Sequence, residues 1–230
     1  MSLFDQPKNA ARTLRVLARL LGYPDAALRE QLPALREVLH GDHALSAPRL
    51  AELDALLDSL IRQDPLDAEA DYVQLFDSGR STALHLFEHV HGDSRERGPA
   101  MIDLAQTYEK AGLYLAEGQM PDYLPVMLEF TSTQPPREAR AFLGEMAHLF
   151  NVIFNALQKR QSRYAGVLGA LLELAGETAK PVQIIADEPI DENWAEPSAF
   201  DGCSSKGQAR PGQAQPVHLV RRNPDSGVAA

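Results

Sequence analysis

PPREARAFLGEMAHLFNVIFNALQK, residues 135–159, decides how this chain folds. Ala139, Phe142, Leu143, Met146, Leu149, Phe150, Ile153 and Leu157 recur at three- and four-residue steps, so on a helix they share one broad face. A stripe that wide needs several neighbours to cover it, which makes this the expected central helix of a core. Pro135 and Pro136 open it, where the first turn has no use for an amide donor.

The neighbouring segments read as helices too. Ser162 is placed to cap one carrying Val167, Leu168, Leu171, Leu172 and Ala175, closing at Gly176. On the other side, Pro121 reopens a helix through Leu124, Leu128 and Thr131, with Pro125 early enough to be tolerated. Before it, Met101, Ala105, Tyr108 and Gly112 mark a helix expected to run on to Gly118. Its start is set near Arg97. Asp93 and Glu96 have capping-box spacing, but a start there would put Pro99 beyond the first turn, where its ring removes a needed bond. Leu84, Phe87 and Val90 predict a short helix stopped near Gly92.

Further out, Asp64 and Pro65 form a cap-and-proline start for a helix through Tyr72, Val73, Leu75 and Phe76, ending near Ser78 and Gly79. Ser46 precedes a helix with Leu50, Leu53, Leu57 and Ile61. Leu28, Leu32, Leu35 and Leu39 form a stripe to Gly41 that Pro33 should kink or restart. Ala10, Leu14, Leu17 and Leu21 face away from Arg12, Arg15 and Arg19, and Gly22 to Pro24 stop that first helix. Only VQII, residues 182–185, reads as a strand. The expected fold is all-α, a single helical-bundle domain over residues 1–177.

From Thr178 onward prolines and glycines recur and periodic apolar residues disappear. Ordering such a segment costs about 1–2 kcal/mol per residue with little burial to offset it. Residues 178–230 are therefore expected to be a mobile tail, acidic from Asp187 to Asp201 and basic at Lys206, Arg210, Arg221 and Arg222. Trp194 and Phe200 in its acidic part suit either a docking motif or a lid.

At 230 residues the chain can bury one good core, and its 44% apolar and 23% charged residues are those of an ordinary globular protein. A net charge of −10 argues against nucleic acid and anionic membrane surfaces, which require clustered lysines and arginines. The N-terminus is interrupted by arginines and lacks a secretory leader's apolar core. No stretch approaches the roughly 18 apolar residues of a membrane span, so a cytoplasmic protein with no direct membrane insertion is expected. One cysteine, Cys203, permits neither an internal disulfide nor a cysteine metal site.

Catalytic chemistry has one foothold. His85, Glu88 and His89 fit H-x-x-E-H, in which two histidines one helical turn apart reach a zinc ion and the glutamate acts as base, with His91 or Asp93 as a further ligand. Helix-face histidines bonded to protein partners are the commoner outcome. No phosphate loop or nucleophile elbow is present. Asp122 and Glu129 read as solvated carboxylates beside a core helix. Tyr72, Leu75 and Phe76 read more readily as core than as ligand surface. An acidic helical domain with a dense aromatic and histidine patch fits a binding module that takes a basic amphipathic peptide.

DYVQLFDSGRSTALHLFEHVHGDSRERGPAMIDL, residues 71–104, followed by PDYLPVMLEF, residues 121–130, closely resembles the NarJ-type assembly chaperones of membrane-bound respiratory nitrate reductase, within the TorD and DmsD class of redox-enzyme maturation proteins. LARLLGYP near the start and the late WAEP, GCS and QPVH elements extend the likeness over essentially the whole chain. The resemblance implies a TorD-like helical fold, no catalysis and no cofactor of its own. It implies binding to the N-terminal segment of the apo nitrate reductase alpha subunit, with molybdenum cofactor delivery proteins as further partners. Carried onto this sequence, the client surface comprises Tyr72, Leu75, Phe76, Leu84, His85, Phe87, Glu88, His89, His91, Asp93 and Arg95, with Asp122, Tyr123 and Leu124 across a groove. Pro99 departs from the pattern, standing where a better helix former is expected.

Overall fold

The computed structural model describes residues 9–92 and 94–182, which fall within one compact unit, residues 1–190. A second unit, Asp191–Ala230, lies outside the described residues, as do most of the expected tail and Gln183 to Ile185 of the expected strand. The described residues form nine α-helices and no strand, so the all-α expectation holds. They are α1 (Ala11–Leu20), α2 (Ala26–Asp42), α3 (Ala47–Arg62), α4 (Pro65–Phe76), α5 (Leu86–Val90), α6 (Arg97–Lys110), α7 (Leu124–Thr133), α8 (Pro136–Lys159) and α9 (Ala165–Ala175), with a single 3-10 turn at Arg80–Thr82.

The stretch 135–159 is α8, with 24 residues the longest helix and about 36 Å long at 1.5 Å per residue. Its stripe is buried as read, from Ala139 through Phe150 and Ile153 to Leu157, whereas Phe142 is only partly covered. α8 and α9 form a helical hairpin, α1 packs on α7 and α2, and α3 closes the bundle against α2 and α9. Gly166 and Gly169 make the last contact close. A methyl group added at Gly166 would stand 3.2 Å from Glu52 Cβ, and at Gly169 it would strike the Arg49 guanidinium. Glu173 of α9 accepts the backbone N–H of Ser46 at 2.6 Å and its hydroxyl at 2.9 Å. Ser46 thus starts α3 where expected, but its side chain is held by another helix and caps nothing.

Three expectations about helix limits fail. α2 continues past Pro33 without the expected restart, because Leu28 and Leu32 before it and Leu39 after it are all buried. Pro33 itself faces solvent, where water can satisfy the carbonyl that loses its partner. The second case is α6, which stops at Lys110, well before Gly118. Leu113 N–H turns back to Tyr108 O at 3.0 Å, and Gly112 and Gly118 take left-handed φ values of 79° and 82°. Residues 111–122 are consequently irregular, and α7 begins at Leu124, not at Pro121.

Candidate functional site

α4 hands the chain to the 3-10 turn, where the Thr82 hydroxyl bonds Leu75 O. The next residues run against the segment that leads into α7. Leu124 N–H donates to Leu84 O at 2.9 Å and Leu86 N–H to Asp122 O at 3.0 Å, an isolated antiparallel bridge of His85 with Tyr123. This short pairing is what brings the two halves of the motif together.

At its centre lies Asp122, whose side chain has no exposed surface. One carboxylate oxygen accepts the Phe87 N–H at 3.2 Å and stands 3.6 Å from the Arg97 guanidinium. The other is 3.3 Å from His85 Nδ1. Arg97 also reaches Glu88 at 3.4 Å. A buried carboxylate is tolerable only with such partners. The expectation of a solvated carboxylate at this position is thus overturned, while Glu129 is exposed as read. The hydrogen bond to Asp122 raises the His85 pKa above its ordinary value, against the opposing effect of burial.

The remaining groups lock onto this centre. The His85 ring lies over Tyr123, centroids 5.1 Å apart and planes 30° off parallel. The Tyr123 hydroxyl is 3.4 Å from that of Tyr72, which donates to Leu21 O at 2.7 Å and so ties the patch to the end of α1. His89 Nε2 donates to Ala83 O at 2.9 Å, and Phe87 meets His91 edge to face at 5.4 Å.

The predicted residues divide into two sets. Tyr72, Phe76, Leu84, Asp122 and Leu124 are buried and carry the patch from beneath, in line with the core reading of Tyr72 and Phe76. His85, Phe87, Glu88, His89, His91, Tyr123 and Leu75 are half-buried and Arg95 is exposed, while Asp93 lies outside the described residues. The zinc arrangement gains no support. His85 precedes α5 in an extended conformation, so it and His89 do not share a helix face, and His89 Nε2 already donates to a carbonyl. Among the described residues no group of three or more His, Cys, Asp or Glu is placed to hold a metal ion.

Part of the site escaped sequence reading. Because α6 ends early, the irregular segment after it encloses an apolar cavity of about 360 Å³ against α7 and α1, floored by Tyr108, Leu113 and Phe130 and rimmed by Arg15 and Glu129. Tyr108 joins this cavity to the Asp122 centre by donating to Pro121 O at 2.8 Å. Val90, Ile102, Tyr114 and Met120 are all exposed, and Tyr108 is the one buried residue of α6. The signal in the sequence was Gly112, which breaks the apolar stripe one turn after Tyr108.

This architecture places the chain in a known fold class. It superimposes with a TM-score of 0.55 on a crystal structure from Archaeoglobus fulgidus described as a candidate redox enzyme maturation protein, over 76% of this chain and 99% of that one, at 20% identity. Sequence comparison then narrows the class. The nitrate reductase delta subunit family model matches residues 23–169. NarJ of Escherichia coli strain K12, a nitrate reductase molybdenum cofactor assembly chaperone, is 40% identical over 200 residues, 86% of this chain and 84% of NarJ. NarW of the same strain is 38% identical over 197 residues, 86% of this chain and 82% of NarW. The chain belongs to the nitrate reductase delta subunit family of NarJ-type assembly chaperones.

Proposed function

We propose that this protein is a non-catalytic chaperone dedicated to respiratory nitrate reductase. In the cytoplasm it binds the N-terminal region of the apo alpha subunit and holds that subunit competent for molybdenum cofactor and iron–sulfur insertion. It also delays docking to the membrane anchor until the cofactors are in place. The observation that carries this reading is the 40% identity to NarJ across 86% of the chain. Among the described residues no helix is long and apolar enough to cross a membrane.

The patch supplies a physical basis for client capture. Val90 of α5, Ile102 of α6, and Tyr114 and Met120 of the segment after α6 each expose apolar surface, the kind of side chain an interaction site uses. Glu96, Asp103 and Glu109 at the start of or within α6, Glu117 in the segment after it and Glu129 of α7 are exposed as well. An amphipathic helix with a basic face suits both features. Phe87 and His91 are half-buried, while Leu84 and Leu124 are buried beneath them, so the guest meets the first pair and not the second. Ordering a disordered client segment costs about 2–5 kcal/mol, which keeps the complex releasable after cofactor insertion. Co-expression with the tagged alpha subunit, intact or lacking its N-terminal segment, tests the reading. Recovery with the intact subunit alone is expected, and equal recovery with both would overturn the assignment of the client segment.

A further inference from the structure

A second cavity, of about 780 Å³, lies on different elements, between α3, α4 and the turn from α8 to α9. That volume is typical of small-molecule sites. Its charge runs against the rest of the molecule. In a chain of net charge −10, Arg62, Arg160 and Arg163 converge on this cavity, and the one carboxylate lining it, Asp71, is held by Gln63 Nε2 at 2.6 Å. Arg62 meets Asp58 only at 3.7 Å, and Arg163 reaches Ser59 at 3.4 Å, long contacts that leave most of each guanidinium fork available. Leu56, Leu60 and Tyr164 give the cavity an apolar, aromatic side, and the buried Tyr164 hydroxyl has no hydrogen-bond partner among the described residues.

The turn itself adds a second observation. α8 closes with Gln161 N–H to Gln158 O and Ser162 N–H to Leu157 O, both at 2.9 Å, which puts Gln161 at φ 55°. α9 closes by the same pattern with Gly176 at φ 82°. Glycine is the favoured residue at such a position, so the glutamine sits there at a backbone cost, and it is one of the residues lining the cavity.

We propose that this cavity binds a phosphomonoester with a flat, apolar body. The Arg62 and Arg163 forks take the phosphate oxygens in pairs, as guanidinium geometry favours, and the leucines with Tyr164 take the body. Leu75, whose carbonyl bonds both Thr82 and Arg160, connects this cavity to the turn leading into the client patch. Neither proposal depends on the other.

Flavin mononucleotide is a fluorescent probe of this class, and riboflavin is the same body without phosphate. Titration of the full chain should give flavin mononucleotide binding at least about tenfold tighter than riboflavin, displaced by inorganic phosphate and weakened by salt. The double variant Arg62→Ser, Arg163→Ser alters exposed side chains and should fold normally by circular dichroism. It should lose about tenfold in affinity for the phosphorylated probe and none for riboflavin. Arg137→Ser, an exposed arginine elsewhere, should change neither. Equal binding of the two flavins, undiminished binding by the double variant, or no binding at millimolar probe would each overturn the assignment.

Discussion

Replacing Asp122 tests whether one buried carboxylate organises the patch. In Asp122→Ala the Phe87 N–H loses its acceptor, which costs about 1–3 kcal/mol for a buried donor. Arg97 and His85 lose their counter-charge as well, but their side chains are 28% and 36% exposed, so water takes up much of that loss. The total should therefore fall below the 3–5 kcal/mol of a fully buried broken pair, at about 2–3 kcal/mol. Asp122→Asn keeps an acceptor for Phe87 and loses only charge, so it should cost about 1 kcal/mol. With a urea m-value of about 1–3 kcal/mol/M, the alanine variant's midpoint should drop by roughly 1 M. A loss under about 0.5 kcal/mol, the size of an ordinary surface change, would refute the reasoning.

Three further outcomes follow from the same structure. The raised His85 pKa means that its bond to Asp122 contributes fully below the unfolded value of about 6.5 and is lost as pH rises through the higher folded value. Urea midpoints at pH 5.5 and 8.5 should therefore differ less for His85→Ala than for wild type. Asp42 accepts from Thr13 N–H at 3.1 Å and Thr13 Oγ at 2.7 Å, and pairs with Arg12 at 3.0 Å, capping α1 from the end of α2. Burial tends to raise its pKa, but those bonds outweigh it and leave the group below its ordinary value. Asp42→Ala should cost about 1–2 kcal/mol at pH 7, a deficit that closes as acid titrates the wild-type carboxylate through its lowered folded value. Phe150→Ala, in the fully buried stripe of α8, should cost about 3–5 kcal/mol by thermal or urea unfolding.

Most helix positions were legible from an apolar stripe, and some limits from a local stop or start signal. Asp64 accepts the Leu66 N–H at 2.9 Å, and Pro65 follows it as the first residue of α4, as the cap-and-proline reading requires. α6 likewise starts at Arg97, with Pro99 inside its first turn. Tertiary contacts overrode local signals elsewhere. Burial on both sides of Pro33 carried α2 through a proline, and Glu173 took Ser46 away from capping. The site was half legible. Sequence spacing found the residues of the patch but not their depth, because the burial of Asp122 depends on Arg97 and on a bridge between segments 38 residues apart. Nor could it expose the H-x-x-E-H spacing as misleading, since that required knowing that α5 starts one residue after His85. The arginine cavity draws on residues from Leu56 to Tyr164 and left no local motif to read.

Calorimetry of the purified chain with a synthetic peptide of the alpha subunit's N-terminal segment tests the client surface most directly. One-to-one binding is expected, weakened at least about tenfold by the double variant Val90→Ser, Ile102→Ser, which alters two exposed side chains of the patch. Undiminished affinity in that variant, or no binding by the wild-type chain, would contradict the account.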